Sequence, residues 1–75
     1  MVKVKILLKE QLDKCGLTQK ELSEATEVRA ATIHDLYHNK SKQIPIKVLE
    51  KIADELNIRD MNKLLVIVDT EDNTN

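Results

Sequence analysis

The spacing of hydrophobic residues along the chain predicts a succession of short helices. Leu8 and Leu12 lie four residues apart and Cys15 follows three residues later, which is typical of the inner face of a helix. Gly16 follows at once and is a common helix stop. The first helix is therefore expected to end at Gly16, with Cys15 as a small core residue.

A second helix is expected to begin at Thr18. In the segment Thr18-Gln19-Lys20-Glu21 the hydroxyl can accept from the third helical amide, while the glutamate can reach back to the cap amide. Leu22 and Ala25 are expected to face inward. The pattern breaks over residues 26–28.

The third helix is expected at about residues 30–37, with Ile33, Leu36 and Tyr37 facing inward. Asn39 tolerates the left-handed conformation in which helices often stop. A polar loop follows, and Pro45 suits the first turn of a fourth helix. The apolar stripe of that helix consists of Val48, Leu49, Ile52, Ala53 and Leu56.

Both ends of the chain carry strand-like patterns. Residues 2–6 alternate β-branched and lysine side chains, and residues 66–68 are a β-branched run. These two segments can pair within one chain or across a dimer. Between the fourth helix and the second strand, Asp60 is expected to cap a short fifth helix that contains Met61, Leu64 and Leu65.

Composition fits one small globular domain. The chain has 75 residues, of which 41% are hydrophobic and 33% charged, with one Gly, one Pro and no Phe or Trp. The scarcity of breakers and aromatic residues favours helices over a β-sandwich. A single cysteine excludes an intrachain disulfide and a multi-cysteine zinc site. We expect a cytoplasmic protein, with no membrane segment and no cofactor.

The net charge of −1 does not by itself indicate a function, because the charges are unevenly distributed along the chain. Asp69, Glu71 and Asp72 stand in the last seven residues, and the rest of the chain holds 12 basic and 10 acidic residues. We therefore expect a domain over residues 1–68 and a disordered, acidic tail over residues 69–75. A sharper alternative is that this acidic tail competes, within the molecule, for the basic loop that contains Lys40 and Lys42.

The second and third helices carry a residue pattern that is typical of a helical pair packed at a steep angle. A small residue, Ala25, is expected where the two helices cross, with Val28 and Ile33 filling the angle between them. The run LTQKELSEATEVRAATIHDLYHNKSKQIPIKVLEKIADELNI resembles the Cro and phage-repressor type of helix-turn-helix, the Xre family. The resemblance covers about residues 7–65.

The resemblance implies an all-α, five-helix, lambda-repressor-like DNA-binding domain, to which the terminal β ribbon would be an addition. It also implies a homodimeric transcription regulator, most often a repressor, with its helix-turn-helix at about residues 18–38. The chain departs from the family where Glu27 and Asn39 stand in place of common glycines. If Glu27 must adopt positive φ, its cost is about 1 kcal/mol.

The third helix is expected to present its outward residues to base edges in the major groove. The resemblance assigns base contacts to Ala30, Ala31 and Asp35, assisted by Arg29 and His34. The first turn of the second helix and the loop after the third suit phosphates. The expected DNA-contacting residues are Thr18, Gln19, Arg29, Ala30, Ala31, Thr32, His34, Asp35, His38, Lys40 and Lys42.

Other interpretations remain beside this one. The helical pair can belong to a plain bundle, or to an antitoxin-like module whose main partner is another protein, bound through residues 64–68. His34 and His38 have metal-ligand spacing without a clear third ligand, and Cys15 can be a redox sensor. No catalytic set is visible, and no small-molecule effector site is evident. The homodimer is expected through residues 2–6 and 64–68.

Overall fold

Four α-helices and a two-stranded sheet make up the fold in the computed structural model, which describes residues 1–69. The elements in chain order are β1 (Val2–Ile6), α1 (Leu8–Cys15), α2 (Gln19–Thr26), α3 (Ala30–Tyr37), α4 (Ile46–Leu56) and β2 (Leu65–Asp69). A 3₁₀ turn, Met61–Lys63, connects α4 to β2. The helices expected from the hydrophobic pattern are therefore confirmed for α1 to α4.

The expected fifth helix is wrong. Asp60 does cap the segment, since its carboxylate accepts from the Asn62 amide at 3.0 Å, but the turn closes when the Leu64 amide donates to the Met61 carbonyl at 2.9 Å. Leu65 already belongs to β2. A helical nucleus this short is unfavourable, whereas the following residues gain a ladder of hydrogen bonds by pairing with β1. The fold is mostly helical, with a sheet, rather than all-α.

The two terminal strands pair with each other within the chain. They are antiparallel, in a register that sets Val2 opposite Asp69, Val4 opposite Ile67 and Ile6 opposite Leu65. The ribbon packs at its inner end, where Ile6 is buried, whereas Val4 and Ile67 at its middle and Val2 at its outer end are exposed. Asp69, the first residue of the expected tail, ends β2, and residues 70–75 lie outside the described residues.

The hydrophobic core lies where the helices and the inner end of the ribbon meet. Ile33 of α3 is completely buried at its centre. Leu22 and Leu36, both expected to face inward, are buried beside it. The buried hydrophobic residues are Ile6, Leu8, Leu12, Leu22, Val28, Ile33, Leu36, Ile52, Ile58 and Leu64.

Cys15 and Ala25 do not lie in the core, contrary to expectation: both are exposed. Gly16 adopts φ of +72° and turns the chain back, so that Leu17, rather than Cys15, packs against the core. In α2 the buried position after Leu22 is Thr26, which is tolerated there because its hydroxyl donates to the Leu22 carbonyl. None of the helices described is long and apolar enough to cross a membrane.

Candidate nucleic-acid interface

The start of α2 is fixed by the capping box that the sequence predicted. The Thr18 hydroxyl accepts from the Glu21 amide at 3.1 Å, and a Glu21 carboxylate oxygen accepts from the Thr18 amide at 2.9 Å. Gln19, the first helical residue, is half-buried beside this cap. Other amides of the first turn remain unbonded within the helix, which gives this end of α2 a positive partial charge.

The turn between α2 and α3 is held by side chains rather than by a glycine. Glu27 adopts the left-handed conformation, with φ of 60°. The Ser23 hydroxyl donates to the Val28 carbonyl at 2.6 Å, and the Thr26 hydroxyl accepts from the Val28 amide at 3.3 Å. These two bonds satisfy both backbone groups of the buried Val28, so the strained turn is well determined.

Ser23 therefore occupies the place that the sequence analysis assigned to Ala25. It is half-buried between α2 and α3, and its small side chain both permits the close crossing and bonds the turn. Ala25 was assigned to the crossing because alanine is smaller than serine. Position in the helical repeat, and not size, decides that Ser23 faces α3. The spacing of Ser23 from Gln19, which is four residues, indicated the correct face.

The outer face of α3 is open to solvent. Burial of Ile33 and Leu36 leaves Ala30, Ala31, His34, Asp35 and His38 exposed, as expected. Arg29 is exposed immediately before the helix, while Thr32 is half-buried. The first turn of α3 thus presents two methyl groups beside a guanidinium group.

A groove runs between the start of α2 and the start of α3. Gln19 and Ala30 line it together, so a predicted phosphate contact and a predicted base contact lie at one site. Lys20 and Glu24, which the sequence pattern had not singled out, line the same groove. The available signal was that Lys20 precedes Ser23 by three residues and Glu24 by four, so the three share one side of α2. The full lining is Gln19, Lys20, Ser23, Glu24, Ala30 and His34.

A second groove lies on the opposite side of α3. Asp35 and Thr32 line it together with Lys40 and Lys42 of the following loop. The Lys40 amide donates to the Asp35 carbonyl at 2.8 Å, which fixes the loop against the helix end. Asp35 thus lies on the side of the loop lysines, and it forms no ion pair with Arg29 within residues 1–69.

His34 and His38 face the same side of α3, with ring centroids 4.4 Å apart. The His38 ring also packs edge-on against Tyr37, at 4.9 Å between centroids. In the part of the chain that the structure describes, no three His, Cys, Asp or Glu side chains converge into a metal-binding group. The arrangement therefore provides two exposed imidazoles on the α3 face.

Several predicted residues thus lie around one exposed face of α3. Gln19, next to the Thr18 cap, lines the groove on one side of α3, and Lys40 and Lys42 line the groove on the other side. Asn39, which was expected only as a helix stop, has a further structural role: its side-chain amide bonds the backbone of Ile6 in β1. Nothing in its sequence neighbourhood indicated that contact.

Comparison with known proteins gives one match. The family model of the Cro/C1-type HTH DNA-binding domain matches residues 7–69, which is most of the chain. No curated protein and no solved structure matches. The matched region contains the capped α2, the turn and α3, as the Xre-type resemblance predicted. The chain belongs to the Cro/C1-type helix-turn-helix DNA-binding domain family.

Proposed function

We propose that this protein is a sequence-specific, double-stranded-DNA-binding transcription regulator that acts in the cytoplasm as a repressor by covering its operator. It inserts α3 into the major groove. The observation that carries the proposal is the exposed face of α3, which lies between the capped start of α2 on one side and the loop lysines Lys40 and Lys42 on the other.

The first turn of α3 reads the bases. Ala30 and Ala31 are exposed and short, so the helix backbone can approach the base pairs closely, and their methyl groups suit thymine methyls. Arg29 reaches a guanine or an adjacent phosphate, and Asp35 can accept from a cytosine amine. Few hydrogen-bond donors of α3 face the major groove of the DNA, so direct readout of the bases is modest and DNA shape contributes to specificity.

The two flanks of α3 hold the sugar-phosphate backbone. The backbone amides at the start of α2, at Thr18 and Gln19, suit a phosphate on one side of the DNA major groove. Lys40 and Lys42 suit phosphates on its other side. These contacts set the orientation of α3 and make affinity depend on salt.

Selection of binding sites from random duplex DNA at fixed, moderate salt tests the proposal. We expect enrichment of an inverted repeat with half-site centres about 10 bp apart. Arg29→Ala should weaken binding to the selected site about 10-fold or more, corresponding to about 1–3 kcal/mol per base contact. Arg59→Ala, the only other arginine substitution available, is the matched control and should bind normally. Absence of enrichment, with Arg29→Ala equal to wild type, would refute base reading.

We further propose a homodimer formed along the outer edge of β2. The backbone N–H and C=O groups of Ile6 both bond to Asn39, away from β2. In an antiparallel pair the backbone groups alternate in direction, so those of the even-numbered residues of β1 point away from β2 and those of the odd-numbered residues bond to it. In β2 the backbone groups of Leu65 and Ile67 then point away from β1. An antiparallel pair of β2 strands centred on Ile67 sets Val66 opposite Val68 of a second copy, an apolar match.

The edge of β1 suits a second copy less well. Asn39 already occupies its inner end, and antiparallel pairing there would oppose lysines with lysines. Ile67, in contrast, is 71% exposed on the β2 edge. The observations therefore favour β2 as the self-association edge.

Sedimentation of the pure protein tests the dimer. Ile67→Lys should shift it to monomer, while Ile46→Lys, at an equally exposed isoleucine of α4, should leave the dimer intact. A monomeric wild-type protein that becomes ordered on this edge only with a second protein would instead support the antitoxin-like alternative.

A further inference from the structure

We propose that β1 carries an additional contact to the DNA backbone, in which Lys3 binds a phosphate beyond those held by the loop after α3. The inference rests on the proposed DNA-binding function and deepens it. The inference starts from a groove between the ribbon and the loop, which we name the basic groove after its two lysines. Part of the lining of this groove is polar, with Lys3, Asn39, Ser41, Lys42 and Gln43, and part is apolar, with Val4, Ile6, Ile44, Leu49 and Leu65.

The Asn39 side chain brings the loop and the strand together. Its amide oxygen accepts from the Ile6 amide at 2.6 Å, and its amide nitrogen donates to the Ile6 carbonyl at 3.1 Å. Asn39 follows α3 directly in the left-handed conformation, with φ of 59°. The start of the loop is thus held against the edge of β1, and the position of β1 relative to α3 is fixed.

Two lysines of β1 lie near the loop region. Lys3 and Lys5 share one face of the ribbon, opposite Val68 and Val66, while Val4 and Ile6 of the other face also line the basic groove. A second, smaller groove is lined by Lys3, Lys5 and Asn39, so both lysines border the Asn39 contact. The basic groove is continuous with the one that Lys42 and Lys40 share with Asp35.

Most lysines of this region form no ion pair among the described residues, although Asp35 lines the same groove as Lys40 and Lys42. Lys5 has an acidic neighbour, with its ammonium group 3.9 Å from a Glu10 carboxylate oxygen. Lys3, Lys40 and Lys42 make no ion pair with any of the described residues 1–69. Three unpaired cations on adjoining grooves give this side of a globally acidic protein a positive potential, which a phosphate backbone would complement.

A simpler role for Lys3 is protection of an edge strand, because lysines discourage strand-to-strand aggregation. That role requires no DNA and predicts no effect on its binding. The two roles therefore differ in the salt dependence of affinity.

The test measures affinity for a selected site across a series of salt concentrations. Each phosphate contact contributes a slope of about −0.9 to log K against log salt, so Lys3→Gln should make the slope shallower by about 0.9. At about 0.1 M salt this corresponds to roughly 5- to 10-fold weaker binding. Lys3→Arg, which keeps the charge, should retain the wild-type slope.

Lys63→Gln is the matched control. Lys63 lies on the 3₁₀ turn, where its carbonyl accepts from the Gln11 side chain of α1, and it should retain the wild-type slope. Wild-type binding with an unchanged slope in Lys3→Gln would overturn the inference while leaving the proposed function intact. Absence of wild-type binding would overturn both. An equal loss of slope in Lys63→Gln would also overturn it, since the effect would then be one of net charge.

Discussion

Asn39 bonds both backbone polar groups of Ile6 through its side-chain amide, although the two residues are separated by 33 positions. The amide of Asn39 thus substitutes for the neighbouring strand that the edge of β1 lacks at this position. The same residue stops α3 with a positive φ. One side chain therefore connects the end of α3 to the ribbon.

Removal of this amide should destabilise the protein. Asn39→Ala loses two partly buried hydrogen bonds and places alanine at positive φ, so we expect a loss of about 2–3 kcal/mol. Asn39→Gly keeps the backbone conformation and should lose about 1–2 kcal/mol. Urea denaturation measures both. Equal stability of wild type and Asn39→Gly would show that the two bonds contribute nothing.

Substitution of Glu27 should have the opposite effect on the stability of the protein. Because it adopts φ of 60° in the turn, Glu27→Gly should raise the free energy of unfolding by about 1 kcal/mol. The same substitution at Glu24, inside α2, should lower it by about 1 kcal/mol, since glycine is a poor helix former. Thermal or urea unfolding of the two variants compares a left-handed with a right-handed site. A destabilised Glu27→Gly would contradict the assigned conformation.

Ser23 and Ala25 differ in what they contact. Ser23→Leu should disrupt the α2–α3 crossing and the bond to Val28, at a cost of about 2 kcal/mol or more. Ala25→Leu, on the exposed face, should change stability by no more than about 0.5 kcal/mol. Circular dichroism during urea unfolding measures this contrast. A reversed order would restore Ala25 as the crossing residue.

Asp35 places a negative charge beside the loop lysines that we assign to phosphates. Asp35→Asn should therefore tighten binding to nonspecific duplex DNA by about 2- to 5-fold, since a like charge near a phosphate costs about 1 kcal/mol or less in water. Asp54→Asn on α4 is the control and should have little effect. Fluorescence anisotropy at low salt detects the change, and weaker binding of Asp35→Asn would show that its carboxylate aids docking.

Local patterns in the sequence determined the four helices and the side of α3 that is exposed. The capping box at Thr18 and Glu21 was readable because its partners are three residues apart. The exposed set on α3 followed from the helical repeat once Ile33 and Leu36 were assigned to the core. The left-handed conformation of Asn39 was likewise expected from its residue type.

Only the tertiary structure decided the features that depend on distant partners. The segment after Asp60 became a 3₁₀ turn and a strand because β1, from the other end of the chain, supplies its hydrogen-bond partners. Leu17 displaced Cys15 from the core because Gly16 reverses the chain. The contact between Asn39 and Ile6, and the basic groove beside it, depend on packing between segments that no local period relates. Hydrophobic spacing determines which face of an element is buried, whereas the element it meets is selected by the energy of the whole core.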